Sequence, residues 1–85
     1  MTAKRGQRAE RRILLIEDDP AIVAGLRTNL RHEGFQIDVA NDGEEGLTKA
    51  LEDQPDLILL DVMLPTINGY EVLRELRRRE CQTAV

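Results

Sequence analysis

Eighty-five residues, 41% of them hydrophobic and 33% charged, make one small domain with a modest core. The sequence has no Ser, one His (His32) and one Cys (Cys81), which excludes a Ser-centred triad, a zinc site built from several His or Cys ligands, and a disulfide framework. The formal net charge of −4 is unevenly spread: five bases stand against Glu10 alone in residues 1–12, and residues 13–85 are acidic.

Lys4, Arg5, Arg8, Arg11 and Arg12 read as a basic, solvated arm over residues 1–12, ahead of a single domain over 13–85. No hydrophobic segment follows these bases, so they do not form a secretory signal. Ile13–Ile16 is a continuous apolar run, too short for a helix, and reads as a buried strand. Asp19-Pro20 then offers an N-cap followed by Pro at the first helical position. Ile22, Val23, Leu26 and Leu30 form one apolar stripe of that helix, and Gly34 stops it. Gln36–Ala40 alternates apolar and polar residues as a half-buried edge strand does.

Asn41-Asp42-Gly43 is a turn that opens a second helix, with Leu47, Ala50 and Leu51 on one face. Leu57–Leu60 is a second strongly apolar run, expected to be buried on both faces, and it ends on Asp61. Asn68 is an N-cap for a third helix, with Val72, Leu73 and Leu76 inward and Arg74, Arg77, Arg78 and Arg79 outward. Strands alternating with helices of this length predict βαβ units and a parallel sheet.

Both apolar strands therefore end in acids: Glu17-Asp18-Asp19 after the first, Asp61 after the third. Right-handed crossovers put the C-terminal ends of parallel strands on one edge, where open α/β sheets bind ligands. With those strands as neighbours, about 4.8 Å apart, the acids converge. Carboxylates so placed repel and raise one another's pKa unless a cation offsets them. Oxygen ligands without His or Cys select Mg²⁺ over zinc. Asp61, alone at its strand end, is the candidate nucleophile for an aspartyl phosphate, with Glu17 and Asp18 as metal ligands. Asp19, beside Pro20, is read as a helix cap.

The segments Ile13 to Pro20 (ILLIEDDP), Asn41 to Gly46 (NDGEEG), Pro55 to Pro65 (PDLILLDVMLP) and Asn68 to Leu73 (NGYEVL) occur in this order. Together they resemble the receiver domain of two-component response regulators over nearly all of residues 13–85. The resemblance implies a flavodoxin-like, three-layer αβα fold with strand order 2-1-3-4-5, of which the first three βα units are present. It implies that Asp61 accepts a phosphoryl group from a sensor histidine kinase, a phosphotransfer protein or a small phosphodonor. Mg²⁺ (or Mn²⁺) would be held by Glu17, Asp18, Asp61 and the Met63 backbone carbonyl, and Pro65 and Gly69 would shape the loop into the third helix. The family's switch Thr or Ser, its phosphate-pairing Lys and its aromatic switch residue would all fall beyond Val85, so the chain as it stands is expected to bind metal without switching.

The expected role is a non-enzymatic phosphoacceptor in a cytoplasmic signalling protein, consistent with a lone thiol and no apolar run near the roughly 20 residues of a membrane span. DNA would be met only through an output domain not present in this sequence. In order 2-1-3 the third strand has an open edge, which predicts self-association or domain swapping. Two alternatives compete. A Mg²⁺-dependent aspartyl phosphotransferase or phosphatase usually needs an Asp where Met63 stands; a non-switching interaction or dimerisation scaffold has no use for the three acids but fits a chain without the switch residues. His32, at a helix end, Cys81, in a polar tail, and the run Arg77–Arg79 are read as surface features.

Overall fold

The computed structural model describes residues 11–64 and 67–85. Residues 1–10 of the expected basic arm, and Pro65, lie outside the described residues. The elements are β1 (Arg12–Ile16), α1 (Pro20–His32), β2 (Gln36–Ala40), α2 (Gly43–Asp53), β3 (Leu57–Leu60) and α3 (Gly69–Arg78). All pairings are parallel, in the order β2-β1-β3.

That order decides where the helices lie. The crossover from β1 to β2 runs one way along the sheet and the crossover from β2 to β3 runs back the other way. Two right-handed crossovers of opposite direction must use opposite faces, so α1 covers one face and α2 the other. After α3 the chain returns to the outer edge of β3, where Leu57 and Ala84 form a parallel bridge and the Ile58 N–H donates to the Ala84 carbonyl at 2.9 Å. This crossover runs in the same direction as the one before it, which puts α3 beside α2. The core accordingly sits between the sheet and these two helices, with Leu14, Ile16, Ala40, Ala50, Ile58, Val72 and Leu76 all buried.

The helix boundaries follow from local chemistry. The Ala21 N–H donates to Asp19 Oδ1 at 2.9 Å, and Pro20 needs no partner at the first helical position. At the other end of α1, Gly34 adopts φ +96°. The Phe35 N–H donates to the Leu30 carbonyl and the Gly34 N–H to that of Arg31, which together make a Schellman motif. Asp42 caps α2 by accepting from the Glu45 N–H at 2.8 Å. Asn68 and Glu71 form a reciprocal capping box on α3. Arg12 ties β1 to α2, its guanidinium donating to the carbonyls of Asp53 and Gln54.

Within the apolar stripe of α1, Val23, Leu26 and Leu30 are half-buried and Ile22 is 46% exposed, because among the described residues no other helix covers that face of the sheet. Two expectations are corrected. β3 is not buried along its length: only Ile58 is, since among the described residues Ala84 alone meets its outer edge. Cys81 does not sit in a polar tail but packs, half-buried, against the core. The Arg77 guanidinium holds this segment by donating to the carbonyls of Cys81 and Thr83.

Candidate functional site

Register delivers the site. Ile16 is level with Ala40 on one side and Leu60 on the other, so Glu17 and Asp61 leave the sheet at the same height. The ladder continues one step past the strands. The Glu17 N–H donates to the Ala40 carbonyl at 3.0 Å and the Asp61 N–H to the Ile16 carbonyl at 3.1 Å. Both acids thereby emerge from rigid backbone rather than from a loose loop.

Carboxylate oxygens of Glu17, Asp18 and Asp61 all lie within 4.8 Å of one another. Glu17 is buried at 8% exposure, Asp61 half-buried and Asp18 exposed. Burial pushes the Glu17 carboxyl above its ordinary value of 4.5; the Asp19 N–H, donating to Glu17 Oε2 at 3.2 Å, opposes this. The charges of Asp61 and Asp18 and a hydrogen bond with Asp61 add to the upward push. Among the described residues, three carboxylates thus face one another with no basic side chain bonded to them, an all-oxygen donor set that suits a hard divalent cation.

Asp61 is oriented by its own turn: Oδ1 accepts the Met63 N–H at 3.1 Å. The Val62 carbonyl then accepts the Gly69 N–H at 3.0 Å, joining the turn to the start of α3. Met63 and Val62 project apolar side chains into solvent beside the acids, at 79% and 42% exposure. Asp19, whose side chain caps α1, adds its backbone N–H to Glu17 as well. His32 is exposed in the last turn of α1, and Cys81 packs beneath α3; neither joins the acids.

One contact was not legible in the sequence. Gly43, read only as a helix opener, lies directly against Ile67 in the segment between Asp61 and α3. Its only local signal was a turn, and the partner lies 24 residues away. A cavity of about 100 Å³, between Arg12, Gln36, Asp38, Lys49 and Asp53, lies at the opposite edge of the sheet and has no part in the acidic cluster. No helix among the described residues is long and apolar enough to cross a membrane.

Comparison with known proteins places this geometry. The family model for the response regulator receiver domain matches residues 13–85. The alkaline phosphatase synthesis transcriptional regulatory protein PhoP of Bacillus subtilis is 46% identical over 70 residues, covering 82% of this chain and 29% of PhoP. The chain therefore spans about three-tenths of the length of such curated relatives. Among solved structures, response regulator TrrA of Thermotoga maritima in complex with Mg(2+)-BeF superposes with a TM-score of 0.78 at 41% identity, over 82% of this chain and 61% of TrrA. TrrA in complex with the histidine kinase ThkA gives 0.79 at 40% identity, over 86% and 63%. The parallel order β2-β1-β3 and the acids at its carboxyl edge agree with a match that runs from the first residue of the apolar β1 run to Val85. This chain belongs to the family of response regulator receiver domains of two-component systems.

Proposed function

We propose that Asp61 is the phosphoacceptor and takes a phosphoryl group from the phosphohistidine of a sensor histidine kinase or phosphotransfer protein, or from a small phosphodonor. An Asp61 carboxylate oxygen attacks phosphorus, the P–N bond breaks with its electron pair going to the imidazole nitrogen, and an acyl phosphate remains on Asp61. Glu17, Asp18, Asp61 and the Met63 backbone carbonyl are the proposed ligands of Mg²⁺ or Mn²⁺. When bound, the ion offsets the negative charge of the acids and of the incoming phosphoryl oxygens. The chain's own residues do the rest: the Met63 N–H holds the Asp61 carboxylate in one orientation, and the extended β1 and β3 ladders keep it beside Glu17 and Asp18.

The observation that carries this reading is the convergence of three carboxylates within 4.8 Å at the carboxyl edge of a parallel sheet. The assemblies of TrrA, with Mg(2+)-BeF and with a histidine kinase, support it. No turnover on an external substrate is part of the reading. Control of an output such as transcription, and any contact with DNA, would run through sequence outside these residues.

The test is incubation with Mg²⁺ and acetyl phosphate, followed by intact mass. An adduct of about 80 Da is expected, mapped to Asp61 and lost in Asp61→Asn. A folded chain that gains no adduct and binds no Mg²⁺ would overturn the proposal.

A further inference from the structure

Two glycines lie against the residues that follow Asp61, one from each side, and neither is there for its backbone freedom. Gly34 is the glycine with positive φ among the described residues; Gly43 and Gly69 have ordinary backbone angles. What they supply is room. A Cβ on Gly69 would stand 2.5 Å from the Asp61 carbonyl oxygen and 2.7 Å from the Val62 Cα. A Cβ on Gly43 would stand 2.6 Å from the Ile67 carbonyl oxygen and 2.5 Å from the Ile67 Cγ1. Carbon atoms in good contact keep about 3.5–4.0 Å apart, so either methyl would force a shift of roughly an ångström. Both glycines are buried; Gly69 meets backbone atoms alone, and Gly43 meets the Ile67 carbonyl together with the branched side chains of Ile67 and Val72.

We propose that Gly43 and Gly69 are positioning residues for Asp61. Gly69 sits on the peptide between Asp61 and Val62, and its N–H ties down the next peptide through the Val62 carbonyl. That next peptide carries the Met63 N–H, which orients the Asp61 carboxylate. Gly43, at the first turn of α2, meets Ile67, two residues ahead of Gly69, and so bears on the seat of Gly69 itself. A methyl at either place shifts Gly69 against the Asp61–Val62 backbone and turns the Asp61 carboxylate away from Glu17 and Asp18. The inference rests on Asp61 being the phosphoacceptor and deepens that reading: the start of α2, which contributes no acid to the cluster, helps set the geometry of the reacting oxygen.

The test compares Gly43→Ala and Gly69→Ala with Gly25→Ala, a helix-interior control whose added methyl meets nothing within 4 Å. Phosphorylation by acetyl phosphate is followed at saturating Mg²⁺ and expressed per folded molecule, with folding checked by circular dichroism and cooperative unfolding. A misplacement of about an ångström at a reacting group costs on the order of 10²-fold, so a fall of that size is expected in the two site variants and none in Gly25→Ala. A purely structural role lowers stability but leaves the rate per folded molecule unchanged, and that result overturns the proposal. Failure of both site variants to fold overturns it too, since the contacts then serve folding alone; if one folds, its rate decides.

A second readout does not depend on phosphoryl transfer. Hydrogen exchange at the Met63 amide should be slow in the wild type and in Gly25→Ala, and at least tenfold faster in both site variants. A wild type that takes no phosphoryl group removes the proposed function but leaves this amide to decide on the seat. Unchanged exchange in the variants would overturn it.

Discussion

At the residue scale the consequential side chain is Glu17, an acid held at the end of a buried strand. Its pKa is raised by burial and by Asp61 and Asp18, so the folded chain holds this proton more tightly than the unfolded chain does. An unfolded Glu releases its proton near the ordinary value of 4.5. Stability of the metal-free protein should therefore fall as pH rises from there through the folded pKa, and the loss persists at neutral pH. Glu17→Gln should raise the neutral-pH denaturation midpoint of the metal-free protein and flatten the curve across that window. A pH profile identical to wild type would remove Glu17 as the cause. Mg²⁺ should reverse the same penalty, since a ligand at 100 times its Kd stabilises by about 2.7 kcal/mol. Chelation should abolish that gain, and Asp18→Asn should shift its midpoint to higher Mg²⁺. Glu75 shows the opposite case: Arg78 and then Arg79 hold it down to about 2, but the cluster is exposed and screened by water.

At the element scale the helix boundaries were legible because capping is local chemistry. Asp19 before Pro20 and Asn68 before Gly69 accept the hydrogen bonds their residue types foretell, and Asp42, placed by the sequence only in a turn, caps α2 in the same way. Asn68→Ala should cost about 1 kcal/mol of unfolding free energy in urea titration, since it removes half of the capping box. Gly34→Ala should cost about 1–2 kcal/mol, because a Cβ at φ +96° meets the following carbonyl. The burial of β3 was not legible. An apolar run reports that a strand seeks cover, but whether both faces and both edges obtain it depends on neighbours that the run does not encode.

At the scale of the whole molecule the two sheet faces differ, and substitutions should report it. On the face closed by α2 and α3, Leu14→Ala, Ile58→Ala or Leu76→Ala should each cost about 2–5 kcal/mol. On α1, Ile22→Ala should stay within about 0.5 kcal/mol of wild type despite its place in the predicted stripe, because the side chain is already 46% exposed. The outer edge of β3, paired among the described residues only around Leu57 and Ile58, and the half-covered α1 face are the surfaces on which the 85-residue polypeptide should self-associate. Sedimentation across a concentration series should show species larger than the monomer. A monodisperse monomer with cooperative unfolding would reject this.

The sequence by itself determined the strands, the helix starts, the stop of α1 and the presence of acids at the ends of both apolar strands. Those features depend on residue type, on short-range periodicity and on hydrogen bonds spanning a few positions. Tertiary structure alone decided that Glu17 and Asp61 emerge at one height, that Glu17 is buried while Asp18 is not, and that α1 is the one described helix on its face. It also decided that Gly43 closes on Ile67 and Gly69 on the Asp61 peptide. The physical reason is the same throughout. Register, crossover handedness and close approach are relations between segments far apart in the chain, and no single segment carries them.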